Sequence, residues 1–235
     1  MATKSGNATA LTVLSPIKNG NLGETSFADI TRERCLRLPI HEESPLAKVP
    51  NTYLARLFIL DNVFYESLPA NDSVFNFSDI TSIFSDSARK KALPRKDTLK
   101  SKYLVFSSNF HGDLDTYLTG VWEKWSYIDH EGTQRDVRHI WEHCVAFDRV
   151  TDASSFIAYI KRCQLDASLF FNGSTDDSLQ EQLKSLYLKQ EFTKFAVEHQ
   201  GKSASEIQQD FKAFIARVQP ENLEGPTWQA GKSTP

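Results

Sequence analysis

Thr52-Tyr-Leu-Ala-Arg-Leu-Phe-Ile-Leu-Asp-Asn-Val-Phe-Tyr65 carries apolar side chains at both parities. An amphipathic helix would leave one wet face, so the run reads as a strand covered on both sides. Strand parity puts Arg56 with Leu54, Phe58 and Leu60, and Asp61 with Tyr53, Leu57 and Ile59. Upstream, Pro39, Pro45 and Pro50 break the chain into an irregular loop. Before that loop, residues 26–38 place Phe27, Ile30 and Arg34 at near-helical spacing. Residues 10–18 are β-branched and apolar, which predicts a first strand with Pro16 at its edge or end. Residues 1–9 are small and polar and read as a loose tail.

Downstream, residues 66–100 are the least regular segment and read as an insertion. It carries the basic cluster Arg89-Lys90-Lys91 with Arg95-Lys96 and room for a short helix over 78–91. Residues 102–110 predict the next strand. His111-Gly112 turns the chain, and Asp113 stands where an N-cap belongs. Leu114, Tyr117, Leu118, Val121, Trp122 and Trp125 then mark an amphipathic helix. Residues 137–147, rich in β-formers, read as a fourth strand. A helix over 154–163 and a short strand over 167–172 follow. Two capping boxes, Ser178 with Glu181 and Ser203 with Glu206, open two further helices. Gly201 stands where the first of these can end, and residues 220–235 read as a tail. The first six elements make a ferredoxin-like βαββαβ order, an antiparallel sheet with helices on one face. The expected organisation is one α+β domain over 10–219, with added C-terminal helices on the open sheet face or edge.

The chain has 235 residues, 40% hydrophobic and 24% charged, a balance expected of a globular protein. Its net charge of −3 lacks the basic excess that phosphate tracking needs, so no nucleic acid is expected. No apolar run approaches a membrane span. The N-terminus has no signal-like apolar stretch, so a cytoplasmic location is expected. Three cysteines, Cys35, Cys144 and Cys163, suit neither a disulfide framework nor a zinc cage.

Arg56, inside an apolar run, is expected either to be paired or to face a cavity, because an unpaired buried charge is costly. Asp61, Asp113 and Glu142 are its candidate partners, and an anion or carboxylate clamp is the functional alternative. Four residues apart on a strand, His139 and His143 stand about 13 Å apart, too far for one metal ion. His143 could instead be an axial haem ligand, or simply a strand histidine bonded to a neighbour. His111 with Asp113 or Asp115 could form an acid–base pair at the strand-to-helix turn, near Asn109. Cys144 reads as a small buried hydrophobe or a reactive thiol.

Three stretches carry a family resemblance: Leu11-Thr-Val-Leu-Ser-Pro-Ile-Lys18 with Gly20; Val49-Pro-Asn-Thr-Tyr-Leu-Ala-Arg-Leu-Phe-Ile-Leu-Asp61; and Tyr103 to Asp115 with Trp141-Glu-His-Cys144. Together they resemble a poorly characterised ferredoxin-like, dimeric α+β barrel family related in fold to dye-decolorising peroxidases and chlorite dismutases. Tyr53 replaces a histidine of the usual Thr-His-Phe-Ala-Arg pattern, His111 replaces an acidic residue, and the Gly-x-x-Asp-Gly signature of dye-decolorising peroxidases is absent. The resemblance implies a homo-oligomer holding a small apolar or acyl ligand between sheet and C-terminal helices, in peroxide or lipid-oxidation metabolism. The expected ligand-binding residues are Arg56, Tyr53, Asp61, Asn109 and Trp141, with His143, Arg56 and His111 available for catalysis. A haem-dependent peroxidase-like oxidoreductase and a non-catalytic oligomeric structural module are the alternatives.

Overall fold

The computed structural model describes residues 3–64, 96–173 and 177–229. Strands β1 (Lys4–Ser5), β2 (Ala8–Pro16), β5 (Thr52–Phe64) and β6 (Lys96–His111) form one antiparallel sheet in the order β1-β2-β6-β5. Two small hairpins, β3 (Asn21–Leu22) with β4 (Thr25–Ser26) and β7 (Ser126–Ile128) with β8 (Gln134–Asp136), lie outside it. Six α-helices complete the described residues: α1 (Phe27–Leu36), α2 (Leu114–Lys124), α3 (Arg138–Trp141), α4 (Ala153–Cys163), α5 (Leu179–Glu198) and α6 (Ala204–Val218). The molecule is therefore mixed α+β. The helix suggested for 78–91 and the basic cluster of 89–95 lie outside the described residues.

One face of the sheet carries the main core. In register across it run Leu11, Ser108 and Ala55, then Val13, Phe106 and Leu57, then Ser15, Leu104 and Ile59. These rows meet Ala28 of α1, Leu118 and Val121 of α2, and Phe156 and Ile160 of α4 in the main core. The opposite rows are Ala10, Asn109 and Leu54, then Thr12, Ser107 and Arg56, then Leu14, Val105 and Phe58. On β5 that second face stands open, with Leu54 54% and Phe58 46% exposed.

Local chemistry sets the helix starts. Ser26 accepts from the Asp29 N–H to cap α1, and Asp113 accepts from Asp115 and Thr116 to cap α2. Gly112, at φ +101°, makes the turn between β6 and α2 in a conformation that a side chain would strain. Both capping boxes read from sequence are formed, at Ser178 and at Ser203.

Two predicted strands are corrected. Residues 137–147 do not run extended: Val137, Ile140, Trp141 and Cys144 are each no more than 1% exposed, spaced i, i+3, i+4, i+7. That spacing is a helical face, and the segment folds as α3 followed by turns. The β2 edge is met instead by β1 and by two isolated bridges, Ile17 with Cys144 and Val13 with Gln164. The ferredoxin-like order is thus left without its fourth strand. Residues 167–172 are likewise not a strand, and Leu169 and Phe171 stand 82% and 81% exposed.

Both presumed tails are also tied down where described. Ala10 N–H donates to the Thr3 carbonyl at 2.8 Å within the β1–β2 hairpin. At the other end, Trp228 N–H donates to the Leu183 carbonyl. Helices α5 and α6 share a second, smaller core of Phe195, Phe214 and Val218.

The β7–β8 turn is held by one carboxylate. Asp129 accepts from the N–H groups of Glu131 (3.0 Å) and Thr133 (2.9 Å) and from Arg135 Nε (2.6 Å). Those bonds, the Thr133 N–H first, hold its carboxyl at about 2, below the ordinary 3.8. A lowered carboxylate value means that its contribution is full above the unfolded value and lost as pH falls through the folded one. The hairpin is therefore expected to loosen between about pH 4 and pH 2. The amide signals of Glu131 and Thr133 in an NMR acid titration check this, and Asp129→Asn is expected to abolish the transition.

Candidate functional site

The site begins at a bulge. Thr52 pairs with Phe110 and Leu54 with Asn109, so Tyr53 is the extra residue on β5. The bulge turns the phenol towards the far end of β6, where its hydroxyl lies 3.1 Å from His111 Nδ1. His111 is anchored by its N–H donating to the Asn51 carbonyl at 2.9 Å. Gly112 N–H donates to the Asn7 carbonyl at 2.9 Å, and the Thr9 hydroxyl donates to the Gly112 carbonyl. The β1–β2 hairpin thus fixes the strand end that carries the imidazole.

Helix α5 supplies the opposing wall. Its capping box sets the start, and Gln182 in the first turn reaches the Tyr53 hydroxyl. Tyr53 and Gln182 stand between two clefts. One, of about 430 Å³, is lined by Leu46, Leu54, Leu183, Leu186 and Trp228 among others. The second, of about 280 Å³, is lined by Asn109, Phe170 and Phe171 among others. Aliphatic and aromatic walls around a few polar groups are the usual make-up of a small-molecule site. Burial raises the Tyr53 phenol above its ordinary value, so it is neutral at physiological pH. The neutral phenol and the side-chain amides of Gln182 and Asn109 give hydrogen-bond donors and acceptors without a fixed charge. Among the described residues the two linings contain no Cys, Lys or carboxylate; their polar side chains are hydroxyls, amides and the His41 imidazole.

Of the residues expected at the site, Tyr53, Asn109 and His111 are brought together. The others are not. Arg56 shares its parity with Leu54 and Phe58 as read, but this face of β5 is open and its guanidinium is exposed to water. The premise of a buried arginine is therefore corrected. Asp61 instead pairs with Arg32 of α1, Asp113 caps α2, and Glu142 pairs with Arg34 at 2.8 Å. Trp141 is fully buried in the main core, its indole N–H donating to Ser15 Oγ at 3.1 Å.

His143 stacks on Phe27 with ring centroids 4.5 Å apart, and its Nε2 lies 3.2 Å from Glu142. It lines neither wall of the β5–α5 clefts. With Phe27 on its face and Glu142 beside its Nε2, the residues around it do not fit an axial haem ligand, and no step is derived through haem. Burial pushes the Cys144 thiol up to about 12, so it is a core residue and not a reactive thiolate.

Gln182, Leu183, Leu186 and Trp228 were missed by sequence reasoning. The signal for Trp228 was there: one large aromatic residue set among Pro220, Gly225, Pro226 and Gly231 has no reason to sit in a free tail. No family model, no curated protein and no solved structure matches this chain.

Proposed function

We propose that the protein binds a small apolar or acyl molecule in the cleft between the start of β5 and α5. The observation that carries this reading is the pairing of exposed Leu54 and Leu186 across a cleft whose polar end is Tyr53 and Gln182, with His111 bonded to the phenol. Leu54 and Leu186 are 54% and 49% exposed without a ligand, so an acyl chain between them would remove apolar surface from water. A carboxyl or hydroperoxide head could meet the Tyr53 phenol and the Gln182 amide. Such a ligand agrees with the peroxide or lipid-oxidation setting that the family resemblance suggests.

Titration with dodecanoate, read by Trp228 fluorescence, tests the reading. Saturable quenching is expected, and Trp228→Phe should remove it. Leu54→Asp or Leu186→Asp should weaken binding at least about tenfold, since burying a leucine contributes about 1.5–3 kcal/mol. Both positions are exposed, so neither variant endangers the fold. Failure of dodecanoate to saturate, or affinity unchanged from the parent protein in both aspartate variants, overturns the proposal.

A further inference from the structure

A third cleft, of about 440 Å³, lies between α1 and the β7–β8 hairpin. Its chemistry is opposite to that of the first. Ile30 is the one aliphatic residue of its lining, and three guanidinium groups, those of Arg34, Arg37 and Arg135, converge there with the imidazole of His139. We propose that this cleft binds a small oxyanion, a molecule bearing a carboxylate or phosphoryl group.

The arginines are held in place yet far from used up. Arg34 donates to the His139 carbonyl at 2.7 Å and to Glu142 at 2.8 Å. Among the described residues Arg37 donates to Glu33, and Arg135 donates to Asp129 through Nε while its Nη2 lies 3.8 Å from Glu131. Each guanidinium carries five N–H donors in a planar fork, so most of these donors have no protein acceptor among the described residues. Anchored forks with spare parallel N–H groups are what carboxylate and phosphoryl oxygens require.

The nearby carboxylates do not fill this role. Both Asp129 oxygens are engaged by the hairpin backbone and by Arg135, and its side chain is only 6% exposed. Glu33 and Glu131 stand at the rim, their side chains 58% and 65% exposed.

His139 adds a donor aimed by its neighbour. The Tyr127 hydroxyl lies 2.7 Å from His139 Nδ1, and a phenol donating there leaves the ring hydrogen on Nε2. Facing this ring are Arg34 of α1, Tyr127, Asp129 and Arg135 of the hairpin, Asp136, and Glu142. Burial, followed by Arg34 and Arg135, lowers the imidazole value despite Glu142 and Asp129.

The test is a titration of the full chain with inorganic phosphate and, separately, succinate. The His139 imidazole resonance, identified by its loss in His139→Gln, reports occupancy by NMR. A saturable shift with a Kd below about 1 mM is expected for one of the two, and which one tells phosphoryl from carboxylate. Arg135→Gln is expected to weaken it at least tenfold. Because Arg135 also braces the hairpin, Arg37→Gln serves as the second variant: it removes only the contact with exposed Glu33. Weakening in either variant supports the site. A shift that does not saturate below that concentration with either probe, or affinity unchanged in both variants, overturns it. This outcome is independent of the dodecanoate result, because this cleft shares no described lining residue with the acyl cleft.

Discussion

Trp141→Ala is expected to lower stability by about 3–5 kcal/mol, a large share of the roughly 5–15 kcal/mol that holds a domain folded. The indole is fully buried, and its ring meets Phe106, Trp125 and Phe156 edge to face at 5.7, 6.0 and 6.0 Å. Truncation leaves a cavity ringed by stiff aromatic side chains, which cannot collapse to fill it. Trp141→Phe restores most of the volume but leaves the Ser15 hydroxyl, itself fully buried, without its indole donor. That variant should cost less, about 1–3 kcal/mol. Urea unfolding followed by circular dichroism checks both. A loss below about 1 kcal/mol for the alanine variant, the size seen at surface positions, would place Trp141 at a ligand rim after all.

Lys184→Met is expected to free the C-terminal segment. Lys184 is 2% exposed and donates from Nζ to the Val218 and Pro226 carbonyls, each at 2.8 Å. Val218 ends α6, so the ammonium sits at the negative end of that helix, and one side chain ties α5, α6 and the 219–229 segment together. Methionine keeps the volume and removes the donors. Each bared carbonyl costs about 1–3 kcal/mol, and the relieved desolvation of a buried ammonium offsets part, for a net loss of about 2 kcal/mol. The loss is local: the wall of the acyl cleft that Trp228 forms should open, with redder emission, faster proteolysis beyond residue 218 and weaker dodecanoate binding. Unchanged emission and proteolysis would remove the tie. The pH response has a definite sign. Burial lowers the Lys184 ammonium below its ordinary 10.5, so the folded state disfavours the charge relative to the unfolded chain. Stability of this unit should therefore rise as pH climbs from the lowered value towards 10.5, and Lys184→Met should lose that rise.

Much of the secondary structure was legible in the sequence because its signals are local. Ser26, Asp113, Ser178 and Ser203 cap their helices through bonds within a few residues of themselves. The parity of Leu54, Arg56 and Phe58 also held, because a pleat alternates whatever it packs against. Segment 137–147 failed for a physical reason: Val, Ile and Trp favour strands by type, but their spacing matches a helix, and burial follows spacing. The candidate site was half legible. Tyr53 and His111 were singled out, yet nothing in their separation along the chain announced that a bulge would join them.

By itself, the sequence determined where chains turn, which helices are capped and which strand positions share a face, since such properties depend on neighbours a few residues away. Only the tertiary structure decided which sheet face meets water, so that Arg56 stands exposed while Trp141 is sealed inside. It alone brought Gln182 and Trp228 to Tyr53, and Arg34 to His139, because those meetings depend on how separate elements pack.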